Sequence, residues 1–194
     1  MSVRAHCPVL IWVAFPCTGG SAWQILNWHK GSDLTRTNIR HLWRQLRAMW
    51  TAFSRIVLPR IDGRNVCLAF EWPAACAYWQ WSASTRSLDG ACVPKIREAL
   101  DLSLPYTALV HGCEHGLIAE CGPNKGSPVR KLWRIDTDCI ALLEALHRDP
   151  SICMRDRQCK WYTYRCVHDR SVKHAQCAGR VAKMPQITPL RSRA

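Results

Sequence analysis

Residues 7–24 read CPVLIWVAFPCTGGSAWQ, and the fold turns on how this stretch is read. Its bulky run ending at Phe15 is bounded by proline and glycine, the length of a buried strand and short for a helix. Pro16 has no N–H for a ladder, so the strand stops there. Thr18-Gly19-Gly20-Ser21 then makes a turn, with Ser21 placed to cap a helix. Cys17 falls just past the carboxyl end of the strand, where open α/β sheets place ligands. The two glycines would let backbone approach such a ligand closely. A thiol at a helix N-terminus tends to be the more nucleophilic for a lowered pKa. The competing reading makes Cys17 a small buried hydrophobe.

Outward from this stretch, Trp23 to Asn38 reads as a short helical turn and a loop around Gly31-Ser32. Asn38 to Val57 has helical spacing, with Ile39, Leu42, Trp43, Leu46, Trp50 and Phe53 on one face and Arg40, Arg44, Arg47 and Arg55 largely off it. Those arginines suit either phosphate contacts or a solvated face. Asn65 to Phe70 is a second buried strand, ending in Glu71-Trp72-Pro73. Pro94 to Leu100 forms a short helix, Thr107 to His111 a third strand, and Gly112 to Pro128 a Gly/Pro-rich loop. Val129 to Ile135 forms a fourth strand antiparallel to the third, and Asp138 to Leu146 a helix. Alternating strands and helices predict α/β layers.

With 194 residues, 48% of them apolar, the chain can build a core without cross-links. A net charge of +13 points to a polyanion, most commonly nucleic acid. Twelve cysteines would suit a disulfide-rich secreted chain, but residues 1–22 make a poor signal peptide. Reduced thiols in an intracellular, nuclear or cytoplasmic protein are therefore expected. No apolar run is long enough to span a membrane.

Three of these boundaries, taken in order, resemble the catalytic half of the DNA cytosine-5 methyltransferases. Phe15-Pro16-Cys17 is similar to that family's Pro-Cys nucleophile motif, and Phe70-Glu71-Trp72-Pro73 to its Glu-Asn-Val motif. Val129 to Arg134 looks like its arginine-bearing strand. The resemblance spans about Val9 to Leu146 and implies a truncated Rossmann-like sheet, mostly parallel with an antiparallel hairpin and helices on both faces. It implies Cys17 as a nucleophile adding to cytosine, Glu71 as the acid on the ring nitrogen, and Arg130 and Arg134 as orienting groups. The family's methyl donor is S-adenosylmethionine. The glycine-rich strand–turn–helix that would bind it is missing, so a complementary chain would have to supply that half, and the isolated chain is expected to transfer no methyl group. A non-catalytic nucleic-acid-binding module is the alternative.

Arg148 to Ala194 carries eleven Arg and Lys against three Asp, which divides the chain into an α/β half-domain at 1–147 and a basic tail at 148–194. Disorder is expected from about residue 180. The tail holds Cys153, Cys159, Cys166, His168, His174 and Cys177; Cys159, Cys166, His174 and Cys177 are candidate zinc ligands, set against free thiols. Lys160, Trp161, Tyr164 and Arg165 offer charge and stacking to a single strand, preferably of DNA, alongside Arg44 and Arg47.

Overall fold

The structure, a computed structural model, describes residues 9–61, 65–84, 87–146 and 175–176. They fall in two compact units. One comprises the described residues up to Leu109 and from Trp133 to Leu146; the other comprises Val110–Leu132 with the pair 175–176.

The first unit is built on a four-stranded sheet ordered β1-β2-β5-β3. β1 (Val9–Val13) stops before Pro16 and leads through a 3-10 turn at Thr18–Gly20 into α1 (Ala22–Lys30). α2 (Asp33–Ile56) starts five residues ahead of the predicted helix. The reason is a cap: Ser32 Oγ accepts the Thr35 N–H, and Asp33 sits in the first turn, where a carboxylate suits the helix dipole. β2 (Val66–Pro73) pairs parallel with β1, Val9 opposite Val66 and Val13 opposite Phe70. It also runs on through Glu71-Trp72-Pro73, because β5 (Leu132–Thr137) pairs with that end, Trp72 opposite Arg134.

The expectation of a mostly parallel sheet is corrected: within the four-stranded sheet β1 and β2 form the one parallel pair, and the sheet is otherwise antiparallel. A parallel pair needs a long crossover, which α1 and α2 provide between β1 and β2. β5 arrives differently. It follows β3 (Tyr106–His111) through a loop, reverses direction, and inserts between β2 and β3. The predicted strand over 129–135 is also broken in two, with Val129–Arg130 (β4) separate from β5.

Leu68, Phe70 and Trp72 alternate onto the face that meets Ile39, Trp43, Leu46, Trp50 and Phe53 of α2 and Ile96 and Leu100 of α3 (Ile96–Ser103). Cys67 and Ala69, on the opposite face, are also buried, which is why β2 reads as an unbroken apolar run. On β1 the opposite face stays open: Leu10 and Trp12 are over 40% exposed. α4 (Ile140–Leu146) closes the described part of this unit and buries Leu143.

In the second unit, a 3-10 turn at Gly112–His115 leads into a tight loop. The loop is tied by Leu117 N–H to Gly112 O, Val129 N–H to Leu117 O, and Ala119 N–H to Ser127 O. Gly122 and Gly126 take left-handed φ near +80°, which a side chain would strain. β4 pairs parallel with β6 (Ala175–Gln176).

Candidate functional site

The 3-10 turn after β1 brings Cys17 and the two glycines against Cys76 and Tyr78 of the turn after β2. Cys17 caps it, half-buried against the main core. The two glycines admit the chain's own side chains and also border the cleft described below. A Cβ on Gly19 would stand 2.2 Å from the Tyr78 hydroxyl, and one on Gly20 would stand 2.7 Å from Cys76 Sγ and 2.9 Å from the Tyr78 ring. The Trp43 indole N–H fastens the turn from α2 by donating to Gly19 O at 2.9 Å. The backbone at the two glycines is thus covered by Tyr78 and Cys76 and forms no free glycine cradle for S-adenosylmethionine. Gly20→Ala is expected to force Tyr78 and Cys76 aside at about 2 kcal/mol. A thermal melt should register that as a Tm lower by roughly 5 °C.

The thiols at this turn are placed for packing. Burial pushes the Cys76 thiol up to about 12; the Tyr78 backbone N–H opposes the rise and the nearby Cys17 adds to it. Burial raises the Tyr78 hydroxyl as well, with Cys76 and Cys17 in the same sense and Arg47 against. At neutral pH both neighbours of Cys17 are thus uncharged, and neither is a general base.

Glu71 leaves β2 on the opposite face from Phe70 and Trp72. There one of its oxygens accepts the Trp12 indole N–H at 3.3 Å. Cys17, beyond the end of β1, packs against the core cluster, whereas Glu71 lies on the other face of β2 with Trp12. Arg134 shares the core face and is held by Asp136, with Nε to Oδ1 at 2.8 Å and Nη2 to Oδ2 at 2.7 Å. Its guanidinium also lies 4.5 Å from the Trp79 ring centre. Asp136 is 2% exposed and takes a further bond from the Thr107 hydroxyl at 2.8 Å. Desolvation raises its pKa, against the pull of Arg134 and Thr107. Arg130 is exposed on β4 in the other unit.

α2 offers more. From Leu34 to Ile61 the chain has six arginines and no acid. At 3.6 residues per turn, Arg36, Arg40, Arg44, Arg47 and Arg55 fall within an arc of about 100° that runs about 28 Å along the helix. That arc lies directly beside the one holding the buried residues. Arg36 is paired with Asp33 at 2.9 Å, and Arg40 lies over the Trp28 ring at 5.1 Å. Arg44 and Arg55 are exposed. Arg47 is half-buried and donates to Ser87 Oγ at 3.2 Å, while its Nε finds no acceptor among the described residues. Asp89 is held below the ordinary carboxylate range. Desolvation acts against that, but the Ser87 hydroxyl, the Ala91 N–H and the charges of Arg47 and Arg40 outweigh it.

Beside this arc opens a cleft of about 230 Å³, lined by Gly19, Trp43, Tyr78, Gln80, Trp81 and Ser87 among others. Tyr78 and Trp81 meet there at 4.5 Å between ring centres. The sequence did not single out Tyr78, Trp81 or Asp136. Asp136 was within reach of pattern reasoning, since an acid two residues after Arg134 in a strand must share its face.

Lys160, Trp161, Tyr164 and Arg165, and the candidate zinc ligands Cys159, Cys166, His174 and Cys177, lie outside the described residues. Among the described residues no cluster of three His, Cys, Asp or Glu could hold a metal, and no helix is long and apolar enough to cross a membrane. No family model, curated protein or solved structure matches the chain.

Proposed function

We propose that this chain is a nucleic-acid-binding module whose contact surface is the arginine arc of α2, acting without catalysis of its own. The observation that carries the reading is the arc itself: five arginines on one side of a 24-residue helix whose only acid is Asp33. Spacings of four, four and three residues from Arg36 to Arg47 step about 4.5–6 Å along the axis, with Arg55 about 12 Å further on, a row of charge suited to phosphates. The net charge of +13 gives long-range attraction to the same partner.

Binding of a thymidine 12-mer, followed by fluorescence anisotropy across a salt series, tests it. Arg44 and Arg55 are exposed and can be removed without disturbing the core. Arg44→Ala with Arg55→Ala should weaken binding roughly tenfold near 0.15 M salt. The slope of log affinity against log salt should flatten by about 1.4, the value for two lost phosphates on a single strand. An unchanged slope would remove α2 from the contact surface.

A second reading, thiol addition to cytosine, keeps one observation in its favour: Cys17 stands past the end of a strand paired parallel to β2. In that reading DNA carrying a mechanism-based cytosine analogue forms a covalent adduct with the chain. Loss of the adduct in Cys17→Ser would support it. Intact binding without an adduct would leave the binding module standing alone.

A further inference from the structure

We infer that the cleft between Trp43, Tyr78 and Trp81 receives one unstacked base of the strand held by the α2 arginines; this rests on the nucleic-acid reading above. Four observations converge on it.

The first is size and lining. The cleft measures about 230 Å³ and its walls are mostly apolar. A dry apolar cavity of about 150 Å³ already accommodates benzene, so this space suits a planar ring system of nucleobase dimensions. The second is a hydroxyl in the wall. Tyr78 is 1% exposed and forms part of the wall, and its hydroxyl lies against Gly19, another lining residue. A phenolic hydroxyl both donates and accepts, and a base edge offers it both kinds of partner.

The third is aromatic surface. Trp43 and Trp81 stand in the wall beside Tyr78, and stacking on such side chains accepts any base because every base has a π-face. The fourth is position. Trp43 lies at the edge of the buried arc of α2, and Arg47, one turn on, belongs to the arginine arc; Arg47 bonds Ser87, which also lines the cleft. A strand whose phosphates follow the arginines therefore passes the mouth of the cleft. Cys17, Glu71 and Arg134 are not part of its lining. The cleft is a holding site rather than a site of bond formation.

The test compares a thymidine 12-mer with an abasic 12-mer carrying the same phosphates, against the full chain and two variants. Leu88→Trp fills the cleft from a rim residue that is 44% exposed. Tyr78→Phe removes only the hydroxyl. For the unaltered chain the intact oligomer should bind about tenfold more tightly than the abasic one, within the range for stacking one base. Leu88→Trp should close that gap while leaving the salt slope unchanged, and Tyr78→Phe should narrow it several-fold. Equal affinity for intact and abasic oligomers in the unaltered chain would overturn the cleft as a base site and leave the α2 surface intact. A gap that persists in Leu88→Trp would also overturn it. Failure of both oligomers to bind at any salt would overturn the nucleic-acid reading and the base site together.

Discussion

Truncating Phe70 to Ala is expected to be the most damaging single substitution in the first unit, at about 4 kcal/mol. Its ring is fully buried at the centre of β2 and meets those of Phe15, Trp50, Phe53, Trp72 and Trp79, with centroids 4.7–6.0 Å away. Rings from β2, the segment after β1, a long helix and the turn after β2 cannot all move inward when one is deleted, so a cavity remains. Edge-to-face contacts of this kind add to the area term. Against a total stability of about 5–15 kcal/mol the loss is large. Tm should fall by roughly 10 °C or more. Phe70→Leu, which keeps most of the volume, should lose less than half as much. A melt of Phe70→Ala within a few degrees of the unaltered chain would show that the aromatic cluster does not organise the core.

Arg134→Ala comes next, at about 3 kcal/mol at neutral pH, because it strands the Asp136 carboxylate in the interior. The effect has a pH signature. Burial already holds the folded pKa of Asp136 above its unfolded value, so ionising it opposes folding. Its contribution to stability is greatest below the unfolded pKa and is lost as pH rises through the folded one. Without Arg134, only the Thr107 hydroxyl supports the charge, and the folded pKa moves further up. The variant should therefore be most destabilised near pH 7 and recover toward pH 4.5, read as the urea midpoint at the two values. Asp136→Asn in the same background should restore much of the loss at neutral pH. A penalty independent of pH would mean that Arg134 stabilises only through its packing on Trp79.

The α/β class was legible because it rests on local signals. Pro16 ended β1, the Gly31-Ser32 loop parted the first two helices, and the apolar spacing of α2 marked its buried face. The reversal of the strand after Thr107–His111 was expected, but its insertion beside β2 was not legible, since nothing in Leu132–Thr137 states that it will also pair there. The turn at Cys17 shows a different limit. A Pro-Cys-x-Gly-Gly string suits a ligand loop and a tight internal approach equally well. What separates them is Tyr78 and Cys76, some sixty residues away and brought in by the turn after β2. Glu71 shows the same point on a smaller scale: alternation could have put it on either face, and the burial of Trp72 decided which. The arginine arc, by contrast, could be read from helical periodicity once α2 was known to begin at Asp33.

Because β5 enters the sheet between β2 and β3, the order in which the chain leaves a ribosome differs from the order in which its strands touch. β1, α1, α2 and β2 can assemble as soon as residue 73 has emerged. The edge of β2 that β5 will cover then waits for about 60 further residues, roughly 3–12 s at ordinary elongation rates. During that interval an apolar strand presents unpaired N–H and C=O groups to every other nascent chain nearby. β3 emerges first but lies one place too far from β2, so pairing with it early would be an error that β5 must later undo. The yield of native protein should then depend on synthesis speed and crowding, through a vulnerability that the finished sheet no longer displays.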